Sequence, residues 1–127
     1  MSLEIYQEQI IEHYRHPVNF GLLADAHVIS KDYNPSCGDV IEIQIKFKDR
    51  MISDIKFQGQ GCAISLASAD ILIDLVKNRN AQEIKNLTIE DFLKTLGIEL
   101  SPLRLKCALL GWKALKTGVY TYLTETE

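Results

Sequence analysis

The sequence contains few cysteines and prolines and no strong excess of charge of one sign. Three cysteines among 127 residues are an odd number, which argues against a disulfide framework. The formal net charge of -3 leaves no basic footprint of the kind that nucleic-acid binding requires. We therefore expect no nucleic-acid partner, and thiols that are buried, catalytic or metal-binding.

Long apolar runs are also missing, since no segment approaches the roughly 20 residues of a membrane span. Glu4, Glu8 and Glu12 recur along the first helical stretch, a pattern that does not fit a signal peptide. These absences predict a cytoplasmic protein without a membrane partner, in which thiols stay reduced. The composition is 46% hydrophobic and 24% charged, as in globular proteins, so we expect one domain over 1–127 with frayed termini at 1–4 and 124–127.

Hydrophobic periodicity, together with the Gly and Pro residues that end helices and strands, divides the chain into short elements. The predicted helices and strands are a helix at 3–15 ended by Pro17, strands at 26–32, 40–47 and 51–58, a helix at 65–77, a helix from Thr88 to Leu96 closed by Gly97, and a helix from Ser101-Pro102 closed by Gly118.

Strict alternation in two segments predicts an antiparallel hairpin joined by the polar turn 48–50. The positions predicted to share the buried face are Ile41, Ile43, Ile45 and Phe47 in the first strand and Met51, Ser53, Ile55 and Phe57 in the second. With 26–32 this gives a three-stranded sheet that has one solvated face. In the last helix, Leu103, Cys107, Leu110 and Ala114 form one stripe, so Cys107 is predicted to face inward.

The turn 34–39 places Cys37 and Asp39 two residues apart at the start of a strand. The hypothesis is that these two residues form half of a metal site. The other half must come from elsewhere in the chain, and Cys62 and Cys107 are the remaining cysteines. Glycines precede Cys62, where they permit a tight turn, and a helix N-terminus follows that stabilises a thiolate.

Two basic residues, Arg104 and Lys106, lie beside Cys107 in the sequence and also favour its thiolate. Three thiolates and one carboxylate can complete a tetrahedral zinc site or hold a cluster of iron and sulfide. The cysteine spacing matches no CxxC template, so three inert core thiols are the alternative that the spacing leaves open.

Three segments around the cysteines resemble the signature segments of the IscU/SufU/NifU-type iron–sulfur cluster scaffolds. They are Asn34-Pro35-Ser36-Cys37-Gly38-Asp39, Gly59-Gln60-Gly61-Cys62-Ala63-Ile64-Ser65 and Arg104-Leu105-Lys106-Cys107-Ala108. The segment Tyr14 to Gly21 is similar to that family's opening segment, and the resemblance runs from about residue 5 to residue 120.

The resemblance implies an α+β fold, with an N-terminal helix and C-terminal helices packed on a three-stranded antiparallel sheet. It implies that Cys37, Asp39, Cys62 and Cys107 converge and bind a transient [2Fe–2S] cluster, or Zn²⁺ in the isolated protein. It further implies that a SufS- or IscS-type cysteine desulfurase supplies sulfur. Each of the three cysteines is a candidate persulfide acceptor, with Arg104 and Lys106 supporting the thiolates, and apo iron–sulfur proteins receive the cluster.

Departures from the family pattern keep two functions open. Lys106 stands where the IscU branch has His, and Leu100-Ser101-Pro102-Leu103-Arg104 replaces the segment that a chaperone reads in that branch. The segment Arg104 to Leu115 resembles the SufU branch, yet residues 78–100 are too few for the usual SufU insertion. The first function is a scaffold that is not itself an enzyme; the alternative is a zinc-dependent persulfide acceptor. A purely structural zinc module is disfavoured, because Asp39 is a hard ligand for thiophilic metals.

Overall fold

A three-stranded antiparallel sheet of order β1-β2-β3 lies at the centre of the fold. The computed structural model describes residues 3–36 and 38–126. In chain order the elements are α1 (Leu3–Arg15), β1 (Val28–Asn34), β2 (Asp39–Lys48), β3 (Met51–Gln60), α2 (Ala63–Val76), α3 (Ala81–Asn86), α4 (Ile89–Leu96), α5 (Pro102–Ala108) and α6 (Leu110–Glu125). The predicted α+β fold, with an N-terminal helix and C-terminal helices on a three-stranded sheet, is confirmed.

The central strand β2 supplies the buried face of the sheet. Ile41, Ile43 and Ile45 are fully buried on the side that the helices cover. On the opposite face of β1, Ile29 and Tyr33 remain mostly exposed. The alternation therefore predicts the orientation of β2 correctly, and the sheet has one face that is largely solvated.

The predicted orientation is wrong at the start of β3. Met51 and Ser53 are exposed, whereas Ile52 is buried with 3% of its surface accessible. The register of the β2–β3 ladder shifts between Lys46 and Phe47, and Phe47 pairs with Ile52. An irregularity of this kind resets the inward and outward alternation, so a strict period of two fails across it.

Helices α2 and α6 cover the inner face of the sheet, and α1 packs against α2. A polar contact also joins α1 to α2, because His13 Nδ1 lies 2.6 Å from Oδ2 of the fully buried Asp70. The backbone N–H of Asn19 donates to the other oxygen of the same carboxylate over 2.9 Å. The segment after α1 is thereby tied to the middle of α2.

The region between α2 and α5 contains one helix more than the sequence predicts. Thr88 is the N-cap of α4 with a complete capping box, and Gly97 ends α4 with a φ of 70°, as predicted. The missed helix is α3, whose N-cap is Asn80; its side-chain oxygen accepts from the N–H of Glu83 over 2.8 Å. An Asn shortly after a helix is typical of a helix end, but an Asn that follows one helix can also be the N-cap of the next.

The predicted single helix from Ser101 to Gly118 is in fact two helices. Ser101 is the N-cap and Pro102 the first helical residue of α5, as predicted. The helix is interrupted at Leu109, after which α6 runs to Glu125. Gly118 does not end α6. It is buried inside the helix, where an added Cβ would lie 3.0 Å from Cγ1 of Val28. The glycine therefore serves close packing of α6 on β1.

The break also divides the predicted apolar stripe. Cys107, Leu110 and Ala114 are buried as expected, but Leu103 is 61% exposed. Positions before and after a break no longer keep a common helical phase, so a stripe drawn through both helices is wrong at its first member. The inward orientation of Cys107 is confirmed.

No helix within 3–36 or 38–126 combines the length and the apolar character that crossing a membrane demands.

Candidate metal centre

Three side chains from separate parts of the sequence meet at one end of the sheet. Asp39 is the first residue of β2, Cys62 immediately precedes α2, and Cys107 lies in the last turn of α5. One ligand atom from each, the two Sγ atoms and a carboxylate oxygen, lie within 4.8 Å of one another. Asp39 and Cys107 are buried, with 4% and 6% of their surface accessible, whereas Cys62 is exposed. The group is therefore open to solvent on the side of Cys62.

The fourth predicted ligand, Cys37, lies outside the described residues, but the turn on either side of it is defined. Asn34 and Asp39 are direct partners in the β1–β2 ladder. The N–H of Gly38 donates to the carbonyl oxygen of Asn34 over 2.9 Å, and Gly38 has a φ of 75°, which favours glycine. This tight connection fixes Asp39 at the first position of β2.

The glycines before Cys62 make room for neighbouring atoms, and neither adopts the positive φ of a tight turn. A Cβ on Gly61 would lie 2.7 Å from Cγ of Asp39, and one on Gly59 would lie 2.1 Å from the carbonyl oxygen of Val40. Gly61 thus allows the end of β3 to pass directly over the carboxylate. The predicted reason for these glycines, a tight turn, is therefore wrong: they are needed for close approach to neighbouring atoms.

Ser65 also belongs to this site, although the sequence does not predict a role for its side chain. Its buried Oγ donates to Oδ2 of Asp39 over 2.5 Å and lies 3.4 Å from Sγ of Cys62. The backbone N–H of Cys62 also points at Oδ2 of Asp39, at 3.4 Å. The sequence signal for this role is the position of Ser65. A serine three residues after a helix N-cap lies in the first helical turn, close to the side chain of the N-cap residue.

Hydrogen bonds to the Asp39 carboxyl group determine its protonation state. Burial disfavours its charged form, but hydrogen bonds from Ser65, from the Cys62 backbone and from the thiols of Cys62 and Cys107 outweigh burial and hold the pKa of the Asp39 carboxyl below its ordinary value. The carboxylate is therefore ionised at neutral pH and could serve as an oxygen ligand without first losing a proton.

The position of Cys62 suits a thiolate. Cys62 is the N-cap of α2, and its Sγ accepts from the N–H of Ser65 over 3.5 Å. A negative charge at a helix N-terminus is stabilised by the free N–H groups and by the helix dipole. Negative charge is thus accommodated at the exposed edge of the group.

The two basic residues predicted to support the thiolates lie on α5, the same helix as Cys107. Arg104 and Lys106 are both exposed. The N–H of Arg104 donates to Oγ of the N-cap Ser101 over 3.4 Å, so the backbone of Arg104 has a structural role. Support of the Cys107 thiolate by their side chains stays a prediction.

The geometry and the donor types fit a thiophilic metal. In a tetrahedral site with Zn–S bonds of about 2.3 Å, two thiolates lie about 3.8 Å apart, a separation that falls within the 4.8 Å spread of the three ligand atoms. Thiolates suit zinc and iron–sulfur clusters, and a carboxylate is the weaker partner in such a set. Asp39, Cys62 and Cys107 are the described residues that would hold the metal.

The fold and this group define a class of protein: an α+β domain that carries a thiol and carboxylate centre at one end of its sheet. Residues 5–127 match the family described as NifU-like N terminal domain. The chain belongs to this NifU-like N-terminal domain family.

Relatives from both branches that the sequence resembles match over nearly all of the chain. The iron–sulfur cluster assembly scaffold protein IscU of Escherichia coli (strain K12) is 35% identical over 96% of this chain and 97% of its own length. The zinc-dependent sulfurtransferase SufU of Bacillus subtilis (strain 168) is 33% identical over 91% of this chain and 89% of its own length.

A solved structure gives the same result for the fold. A protein from Fervidobacterium islandicum AW-1, described as an iron–sulfur cluster assembly scaffold for the SUF system, superposes with a TM-score of 0.77 at 29% identity. The match covers 94% of this chain and 99% of that structure.

Proposed function

We propose that this protein is an iron–sulfur cluster assembly scaffold. It accepts sulfur from a cysteine desulfurase, assembles a [2Fe–2S] cluster on Cys37, Asp39, Cys62 and Cys107, and passes the cluster to apo-proteins. The observation that carries this proposal is the meeting of Asp39, Cys62 and Cys107 within 4.8 Å. The relatives named as scaffolds support it.

Sulfur transfer begins at an accessible thiol. The thiolate attacks the terminal sulfur of the desulfurase persulfide, a new S–S bond forms, and the desulfurase cysteine leaves as a thiolate. No net oxidation accompanies this step. Exposure favours Cys62 over the buried Cys107 as the first acceptor among the described cysteines, because the donor must reach the sulfur. Conversion of the transferred sulfur to sulfide then requires two electrons from an added reductant.

Asp39 supplies the ligand that allows the cluster to leave. An oxygen ligand holds iron less firmly than a thiolate in a sulfur-rich site, so it is the position at which an acceptor protein displaces the scaffold. Asp39→Ala should therefore still assemble a cluster but release it to apo-ferredoxin more slowly. Cys62→Ala removes a thiolate that no carboxylate replaces, and it should abolish assembly.

The test supplies the protein anaerobically with a cysteine desulfurase, cysteine, ferrous iron and dithiothreitol. Iron and acid-labile sulfide in stoichiometric amounts are expected, and transfer from equal cluster loads of wild type and Asp39→Ala is followed by visible absorbance. Faster release from Asp39→Ala would show that the carboxylate retains the cluster, contrary to the proposed role.

A zinc-dependent persulfide acceptor is the second candidate. The observation in its favour is the similarity to a relative named as a zinc-dependent sulfurtransferase, together with Lys106 in place of His. Cys62 would then carry sulfur while the remaining ligands keep the metal. In the same assay, this function gives a protein persulfide and retained zinc, without acid-labile sulfide.

A further inference from the structure

Two thiols of the metal centre lie close enough to react with each other. The Sγ atoms of Cys62 and Cys107 are within 4.8 Å, and both thiols hydrogen-bond to the carboxylate of Asp39. Cys62 is the residue before α2 and Cys107 lies in the last turn of α5, so the packing of α5 against α2 keeps the two sulfurs together. A pair of thiols at this separation can carry out a reaction that neither thiol performs alone.

The two thiols differ in their access to solvent. Cys62 is exposed, whereas Cys107 is buried, with 6% of its surface accessible. A sulfur donor therefore approaches Cys62 from the solvent, and the transferred sulfur is added to Cys62 on that side. Displacement at sulfur proceeds with the attacking and leaving atoms roughly in line. The buried Cys107 lies behind the sulfur of Cys62 as seen from the solvent, which is the side from which an attack expels the transferred sulfur.

We propose that Cys107 releases sulfide from a persulfide carried by Cys62. The inference rests on the proposed function for the source of the persulfide. The sulfur of Cys107 attacks Sγ of Cys62, the bond from that Sγ to the outer sulfur breaks, and a Cys62–Cys107 disulfide forms. The outer sulfur leaves as H₂S, with the protons of the persulfide and of the Cys107 thiol. Counted as S(0) in the persulfide, it gains two electrons from the two cysteine sulfurs that end as the disulfide.

Two features of the site favour this step. The leaving sulfur departs close to the N-terminus of α2, where Cys62 is the N-cap, and a helix N-terminus stabilises negative charge. A disulfide has an S–S distance of about 2.05 Å, so one side chain has to turn toward the other. Cys62 can turn, because it is exposed and precedes the first helical residue of α2.

The added reductant is still consumed, but at a later stage. A dithiol such as dithiothreitol reduces the disulfide and restores both thiols, so each sulfide still requires two external electrons in the complete cycle. The order of events is what distinguishes the proposal. Sulfide appears before the external reductant acts, and the protein passes through a disulfide.

The test uses the metal-free, full-length protein with Cys37→Ser, which leaves Cys62 and Cys107 as its two cysteines. Glutathione persulfide supplies the sulfur, and no reductant is added. Sulfide, and a peptide pair linked through Cys62 and Cys107 that is detected by mass spectrometry, should appear in equal amounts. At a fixed donor concentration, the rate per molecule should not depend on protein concentration, because both thiols belong to one chain.

A second variant removes the attacking thiol. Cys107→Ser in the Cys37→Ser protein should lower sulfide release to the level of the donor alone and leave the persulfide on Cys62. Lys48→Cys, added to this double variant, is the matched control. It restores a second thiol at an exposed position, at the opposite end of β2 from Asp39. Sulfide release should not return in this control.

Four results would overturn the proposal. They are a persulfide that persists in the protein with both thiols, movement of the sulfur from Cys62 to Cys107 without sulfide release, a rate per molecule that rises with protein concentration, and recovery of release in the Lys48→Cys control. If Cys107→Ser fails to fold by far-UV circular dichroism, the linked peptide and the released sulfide in the protein with both thiols decide the question.

A parallel experiment separates this inference from the proposed function. It replaces glutathione persulfide with a cysteine desulfurase and a limiting amount of cysteine. If the desulfurase delivers no sulfur while glutathione persulfide still yields sulfide and disulfide, the proposed function fails and the role of Cys107 stands. If the desulfurase delivers a persulfide that stays on the protein with both thiols, the role of Cys107 fails and the acceptance of sulfur stands.

Discussion

Replacement of Ser65 by Ala tests how the carboxylate of the metal centre is held. In the metal-free protein the variant removes the 2.5 Å hydrogen bond from Ser65 Oγ to Asp39 Oδ2, in a position where Ser65 and Asp39 are both buried. A hydrogen bond to a charged group contributes about 1.5–3 kcal/mol. We therefore expect Ser65→Ala to lower the free energy of unfolding at pH 7 by about 2 kcal/mol, measured by urea denaturation.

Ser68 provides the matched control one turn further along α2. It is as buried as Ser65, but its Oγ has no hydrogen-bond partner within the described part of the chain. Ser68→Ala removes the same atom without breaking a bond, so the free energy of unfolding should stay unchanged or rise. A loss from Ser68→Ala equal to that from Ser65→Ala would mean that the cost reflects packing in α2 and not the bond to Asp39.

The effect of Ser65→Ala should also depend on pH. Because the pKa of Asp39 is lowered on folding, its charged form stabilises the folded state above its unfolded-state pKa, and this contribution is lost as the pH falls through the lower folded-state value. Ser65 is the first of the hydrogen-bonding groups that lower this pKa. The difference between Ser65→Ala and wild type should therefore stay constant from pH 7 down to the ordinary aspartate pKa of 3.8 and shrink below it, while that of Ser68→Ala stays constant throughout.

Metal affinity gives an independent measurement of the same bond. Loss of a group that orients a metal ligand commonly weakens binding about 10–100-fold. Ser65→Ala should weaken zinc binding by that factor in a competition with a chromophoric chelator, and Ser68→Ala should leave it unchanged. Equal zinc affinities of wild type and Ser65→Ala, with equal unfolding free energies, would refute the positioning role of Ser65.

Three further predictions concern the fold and the partner. Chelation of bound metal should lower the melting temperature but leave the far-UV helix signal unchanged at room temperature. The reason is that the apolar core between the sheet and the helices does not depend on the metal centre. Loss of the far-UV signal on chelation would contradict this prediction. Lys116→Met should lower the free energy of unfolding, measured by urea denaturation, by about 1.5–3 kcal/mol. The reason is that Nζ of Lys116 donates to the carbonyl oxygens at the end of α3, those of Ile84, Lys85 and Leu87, over 3.1, 2.6 and 2.9 Å. An unchanged urea midpoint would contradict this prediction. Arg104→Ala, at an exposed position, should leave stability unchanged but weaken stimulation of a cysteine desulfurase, and equal stimulation by wild type and variant would exclude Arg104 from that role.

Local chemistry predicted the elements well where one residue type determines the backbone. Thr88 begins α4 and Gly97 ends it, because a hydroxyl can cap free N–H groups and glycine tolerates a positive φ. The orientation of Ile52 could not be predicted in this way. It follows from a register shift between β2 and β3, which is a property of the pair of strands and leaves no mark in the alternation of either strand alone.

The glycines show the same division between local and tertiary causes. Gly118 predicts a helix end on local grounds, yet it lies within α6 because Val28 and Ser30 of β1 approach the helix too closely for a side chain. Gly61 predicts a turn, yet it makes room for Asp39. In both cases the reason for the glycine is a neighbour distant in the sequence, which no reading of nearby residues supplies.

At the candidate site, the residue types and the resemblance identified which side chains to consider, and the structure added how they are held. The meeting of Asp39, Cys62 and Cys107 depends on the packing of α5 against α2 and of α2 against β2, so the cysteine spacing alone could not predict it. The role of Ser65 could not be predicted from the sequence, because a serine in an apolar helix is ordinarily interpreted as a tolerated core residue. Its importance depends on where Asp39 lies.

The hydrogen bonds around Asp39 bear on how such a centre could be emptied and refilled. A buried carboxylate that loses its metal would normally be left as an unpaired charge, at a cost of several kcal/mol. Here the Ser65 hydroxyl and the Cys62 backbone N–H both bond to Oδ2, and both remain when a metal departs. The Sγ of Cys62 likewise keeps the backbone N–H of Ser65 as a hydrogen-bond donor at the N-terminus of α2. The protein thus keeps partners for these side chains in the metal-free state, so release of a metal held there would not require the fold to open.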